Sequence, residues 1–140
     1  MKRESARAII VEGEKLLTIF RRKIDEEGNV KEYYVIPGGG IEEGETNEET
    51  VVRELKEELG LEINILGYIG VVEKDKTIEH YFHVERVSGE PTIGGPEKEK
   101  NCESNYYEPR FVKITELSKL DFQGIDLIEK AIKKEYINKF

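Results

Sequence analysis

Glu54, Glu57 and Glu58 occur at i, i+3 and i+4 in the run Arg53-Glu54-Leu55-Lys56-Glu57-Glu58-Leu59. Wound into a helix at about 100° per residue, they share an arc of roughly 100°. Like charges so spaced weaken an isolated helix by about 0.2–0.5 kcal/mol per pair, so helix stability does not account for them. A bound divalent cation does. Mg²⁺ and Mn²⁺ prefer carboxylate oxygens, keep several waters and complete their shell with substrate phosphate. The chemistry such a set can support is hydrolysis of a phosphoanhydride, a bond shielded by its own negative charge and attacked slowly by water. Charge neutralisation, a lowered pKa for bound water and alignment with phosphorus are what the cation is expected to supply. A free carboxylate can complete the deprotonation.

The neighbouring residues extend the pattern. Gly39 is followed after five residues by Glu45 and after seven more by Arg53, and Gly60-Leu61 closes the run. These residues resemble the Nudix box, the signature of hydrolases acting on a nucleoside diphosphate linked to another group, and every fixed position is matched. The resemblance is specific over residues 33 to 61 and general elsewhere. It implies an α/β fold, a Nudix-type α/β/α sandwich with a mixed β-sheet, the box helix and its loop lying beside the sheet. It also implies Mg²⁺ (or Mn²⁺) as cofactor, bound chiefly by Glu57 and Glu58, with Glu54 as a further ligand or the base and the Gly39 carbonyl as an extra ligand. Arg53 and Glu45 receive orienting roles, in keeping with bidentate guanidinium–carboxylate bonding. Relatives often add an acid from a later loop. Glu97, Glu99 and Glu103 are the candidates here, each with a plain surface charge as its alternative. One departure falls at a free position: Thr50 stands where a small alanine is common, a change expected to touch packing more than chemistry.

To position these groups the chain needs a strand, a turn and a helix in that order. Tyr33 to Pro37 reads as the strand, Gly38-Gly39-Gly40 as a loop whose backbone can approach a metal or phosphate closely. Val51, Val52, Leu55 and Leu59 cluster beside the acidic arc, so the helix can bury one face and work with the next. Upstream, Arg7 to Val11 and Leu16 to Phe20 form a hairpin around Glu12-Gly13-Glu14-Lys15, and a charged loop spans Ile24 to Lys31. Downstream, Leu61 to Val72 pairs with the alternating segment around Ile78, Phe82 and Val84, turning at Lys74-Asp75-Lys76. A long polar loop runs from Ser88 to Pro109. Arg110 to Ile114 reads as a short strand, and Ile125, Ile128, Ile132 and Tyr136 mark one face of a C-terminal helix.

The 140 residues, 37% of them apolar, suit one domain over 1–140. A net charge of −8 argues against a nucleic-acid polymer as partner. Small anionic substrates remain compatible if bound metal and local bases offset their charge; Arg21 and Arg22, with Lys23 beside them, are the nearest candidates. A nucleobase needs an aromatic face, for which Tyr106 and Tyr107 are favoured over other ring residues. His80 and His83 are alternatives as base or substrate contact. The lone Cys102 rules out an internal disulfide and points to a reducing compartment. With neither a signal-like nor a membrane-spanning stretch, a cytoplasmic protein that handles small nucleotide-like diphosphates is expected, and homodimerisation is left open. Candidate substrates are nucleoside triphosphates, nucleotide sugars, ADP-ribose and dinucleoside polyphosphates. Two rivals keep the fold. A non-catalytic nucleotide sensor would be expected to lack box acids, and an isoprenoid-diphosphate isomerase would want a catalytic cysteine.

Overall fold

The computed structural model describes residues 2–94, 98, 100–120 and 125–140. Its first strands, β1 (Arg3–Ile9), β2 (Val11–Glu12) and β3 (Lys15–Ile24), lead to β4 (Val30–Val35) and the three-glycine strand β5 (Gly38–Gly40). Helix α1 (Asn47–Leu59) follows, then β6 (Glu62–Glu73), β7 (Thr77–Ser88), β8 (Asn105–Lys113), a 3-10 turn (Ile114–Lys119), α2 (Ile125–Ile132) and β9 (Asn138–Lys139). One sheet has the order β5-β1-β7-β6-β9, and in the other β3 lies between β8 and β4. The β1–β7 pair is parallel and its neighbours are antiparallel, so the sheet is mixed as expected.

Period-two alternation divides the core between two faces. Ala6, Ala8 and Ile10 pack with Leu17, Ile19, Phe82 and Val84 against Val51, Leu55 and Leu59 of α1. Ile9, Leu16, Ile69 and Tyr81 face the other way, where Leu117 of the 3-10 turn and Leu127, Ile128 and Ala131 of α2 cover them. Helix, sheet and helix therefore form the three layers. Among the described residues no helix is long and apolar enough to cross a membrane.

Four sequence expectations need correction. The glycine triplet is a strand, not a loop: Gly38, Gly39 and Gly40 pair with Arg7, Ala6 and Ser5. Tyr106 and Tyr107 lie inside β8, not in a loop, because they pair with Arg22 and Arg21 of β3. Val52 is 38% exposed while Thr50 is fully buried, so the inward face of α1 is rotated from the purely apolar reading. The C-terminal helix stops at Ile132, where Lys134 adopts φ 57°. Ile132 is consequently exposed, and Tyr136 leaves the helix to lie over Gly67.

At Gly67 any side chain would collide with the Tyr136 ring. Gly67→Ala is expected to cost about 1–3 kcal/mol, the usual range for overpacking. In a Tyr136→Ala background the penalty should shrink, which urea denaturation of the four proteins in this cycle would measure.

Candidate active site

The site begins with the way α1 is started and stopped. Thr46 caps its N-terminus, accepting from Glu49 N–H while the Glu49 side chain accepts from Thr46 N–H. Gly60 ends it in the left-handed conformation at φ 71°. Thr92 N–H then donates to the Leu59 carbonyl and Gly94 N–H to the Glu58 carbonyl, satisfying groups the last turn leaves orphaned. Between these fixed ends the box residues hold one rotational setting.

Arg53 is the hub of that setting. Its Nε and Nη2 donate to the two oxygens of Glu45 at 2.5 and 2.9 Å, a bidentate pair. Nη2 also donates to the Gly40 carbonyl at 3.2 Å, and Nη1 is shared between Glu54 at 3.0 Å and Glu57 at 3.1 Å. Hydrogen bonds from Arg53, aided by the Glu42 backbone and Thr50, hold the Glu45 carboxyl down at about 2. Bonding to Glu45 and Glu54 pushes the Arg53 guanidinium above its ordinary value despite the opposing cost of desolvation.

Gly39 has a steric role that its spacing could not disclose. A Cβ there would lie 2.5–2.6 Å from the Glu54 carboxylate, so only glycine lets that acid rest on the strand. The sequence reading gave Thr50 to packing more than to chemistry. Its hydroxyl lies 2.8 Å from Glu45 Oε1 and 3.1 Å from the Thr46 carbonyl, within donating reach of either. The residue thus bears on the orientation of Glu45 as well as on packing. A hydroxyl one helical turn before the arginine, where a small alanine is common, was the available signal.

The structure brings Gly39, Glu45, Arg53, Glu54 and Glu57 together, with Glu58 following on the same helix and buried. Their donor set, carboxylates plus backbone carbonyl, is the hard-oxygen type that suits Mg²⁺ or Mn²⁺. Among the described residues no three acidic, His or Cys side chains are already drawn into a cation cage. The Glu54 carboxylate nested on a side-chain-free strand is nonetheless the kind of recess such a donor set requires.

The remaining candidates are dispersed. On β3 and β8, Arg21 stacks over Tyr107 at 3.7 Å and donates to Asn105 Oδ1 at 2.9 Å. Arg22 lies 5.6 Å from the Tyr106 ring and pairs with Glu32. Adjacent strand residues point to opposite faces, so Arg21 with Tyr107 and Arg22 with Tyr106 form two separate groups. Tyr107 packs on the core beneath α1, which puts Arg21 on that side. Lys23 is exposed at the end of β3. Glu103 is exposed in the tight turn between Cys102 and Asn105; Glu97 and Glu99 lie outside the described residues. His80 bonds Tyr68 and Glu4, and His83 bonds Tyr136 on the α2 side. Burial, with Lys134 nearby, lowers the His83 pKa.

This arrangement can be set beside known proteins. The NUDIX domain family model matches residues 1–130. The ADP-ribose pyrophosphatase of Methanocaldococcus jannaschii is 32% identical over 126 residues, spanning 86% of this chain and 68% of that protein. Among solved structures, an ADP-ribose pyrophosphatase from Streptococcus suis superposes with a TM-score of 0.68 at 15% identity, over 96% of this chain and 92% of the other. A MutT NUDIX hydrolase from Burkholderia pseudomallei gives 0.66 at 22% identity, over 95% and 97%. The structural likenesses establish a shared fold. With the domain match and the archaeal relative, they lead to one conclusion: this chain belongs to the Nudix family and is a pyrophosphohydrolase.

Proposed function

We propose that this enzyme is divalent-cation-dependent and cleaves the phosphoanhydride of a nucleoside diphosphate linked to another group, with ADP-ribose as the first substrate to test. The observation that carries the reading is the single guanidinium of Arg53 joining Glu45, Glu54, Glu57 and the Gly40 carbonyl. The name of the archaeal relative supports the choice of ADP-ribose.

In this reading Glu57, Glu58 and the Gly39 carbonyl would hold Mg²⁺ or Mn²⁺, and Glu54 stands beside them as the base. The bound cation would neutralise diphosphate oxygens and acidify a water. The protein's own part is orientation and proton transfer. Arg53 keeps two carboxylates in register while Glu45 keeps Arg53 from swinging away. Glu54, with its side chain 17% exposed, is better fixed than Glu57 at 55%, so we assign Glu54 the proton from the attacking water and Glu57 a ligand role. Among the described residues the buried Nε of Arg21 has no hydrogen-bond partner, which leaves a donor for an anionic group on the α1 side.

The deciding experiment measures phosphate, pyrophosphate and nucleotide release from ADP-ribose, nucleotide sugars, nucleoside triphosphates and dinucleoside polyphosphates, with Mg²⁺, Mn²⁺ or a chelator. Chelator-sensitive turnover is expected. Inertness towards every compound, with tight binding of one, would instead make the protein a sensor.

Two variants separate the assigned roles. Glu54→Gln should lower kcat by about 10²–10⁴-fold, the scale of general base catalysis, with little change in the metal concentration required. Glu57→Gln should raise that concentration and leave the fold intact by circular dichroism. Parental activity in either would refute its assignment.

The Glu45 pair predicts a pH dependence. Its carboxyl is drawn below the ordinary 4.5 to about 2 on folding, chiefly by Arg53. The pair's contribution to stability is therefore full above about 4.5 and disappears as pH falls through about 2. The stability gap between parent and Glu45→Gln should be constant near neutrality and close over that acid window.

A further inference from the structure

The glycine strand that supports the acids has a second side. Gly39 turns its missing side chain towards Glu54, whereas a Cβ at Gly40 would meet the Arg3 guanidinium and one at Gly38 the Ala6 carbonyl and Arg7. On that opposite side lies a cavity of about 180 Å³ lined by Arg3, Ser5, Arg7, Thr77 and Glu79 with the Gly39-Gly40 backbone. Among the described residues no aromatic ring lines it, so they offer a nucleobase no stacking face there.

Its charge is fixed by a network. Arg7 donates to Glu79 at 3.2 Å and to the Ile36 carbonyl at 2.9 Å, and Glu79 also takes Lys74 at 2.9 Å and the Tyr81 hydroxyl at 2.9 Å. Burial pushes the Glu79 carboxyl up, but Lys74, Tyr81 and Arg7 outweigh it, so this acid stays ionised. Arg7 and Lys74 thus pair with the one carboxylate that lines the cavity, and Arg3 lines it as well, a local positive excess in a chain of net charge −8. The Arg3 guanidinium has no hydrogen-bond or ion-pair partner among the described residues, nor do the Ser5 and Thr77 hydroxyls. Among the described residues β5 is the outermost strand of its sheet, so no further described strand lies beyond it. A diphosphate that spans the two sides would pass around that edge.

We propose that this cavity receives the sugar-phosphate half of the substrate, with Arg3 as its specificity-determining cation. Arg3 bonds phosphate oxygens, and Ser5 and Thr77 exchange hydrogen bonds with sugar hydroxyls. This deepens the function proposed above and rests on it, since it assumes a diphosphate that joins a nucleoside to a sugar.

Calorimetric titration with ribose 5-phosphate and, separately, with AMP, in the presence of Mg²⁺, tests the assignment in the parent, Arg3→Ala and Arg3→Lys proteins. Arg3→Ala should weaken ribose 5-phosphate by about tenfold or more, the scale of one charge-assisted hydrogen bond. Arg3→Lys should recover part of that loss, and AMP should change little. No measurable ribose 5-phosphate binding to the parent, unchanged binding in Arg3→Ala, or an equal loss for AMP would overturn the proposal. The titration needs no turnover, so it stays readable even if the chelator assay refutes the hydrolytic reading.

Discussion

The geometry of this protein depends on one guanidinium. Four acceptor groups from the box loop, the glycine strand and two helical turns converge on Arg53, whose side chain is only 21% exposed. Without it, Glu54 and Glu57 would be adjacent like charges on a helix, and Glu45 would lose its bidentate partner and keep the Glu42 N–H and the Thr50 hydroxyl. A planar fork of fixed donors can do this where an ammonium cannot, because direction as well as charge is specified. The flanking structure serves that convergence: the cap at Thr46 fixes the start of α1, and Gly60 with the Thr92–Gly94 segment fixes its end.

Small residues set how closely the layers approach. Ala6 and Ala8 on β1 are fully buried, and α1 packs on that side of the strand through Val51, Leu55 and Leu59. Glycine at 39 takes the same economy further by letting a carboxylate sit against backbone. Acid and strand therefore meet at a distance that any larger residue would prevent, which makes the apolar core and the polar site parts of one packing solution.

Much of this was legible in the sequence because it depends on local spacing. The i, i+3, i+4 glutamates and the arginine before them declared a helix face without any tertiary knowledge, and the alternation around Ile78, Phe82 and Val84 declared a strand. What escaped required long-range partners. Gly38–Gly40 reads as a loop until β1 is seen beside it, and Tyr106-Tyr107 reads as loop until Arg21 and Arg22 are paired opposite. Thr50 looked like a packing substitution because its acceptor, Glu45, is reached only after the chain turns into the helix. The Arg3–Glu79 cavity joins residues from opposite halves of the chain, which no local window contains.

The position of β1 also has a consequence for assembly. This first strand lies inside its sheet between β5 and β7, and its parallel register sets Arg3 against Thr77 and Ile9 against His83. About half the chain separates such partners, and closing so long a span costs entropy before any contact repays it. During synthesis the box helix and its glycine strand emerge well before β7 can complete the sheet behind them. The acidic cluster thus gains its support only when the later half arrives, and until then β1 has an unpaired edge that a newly made chain must keep from misassociating.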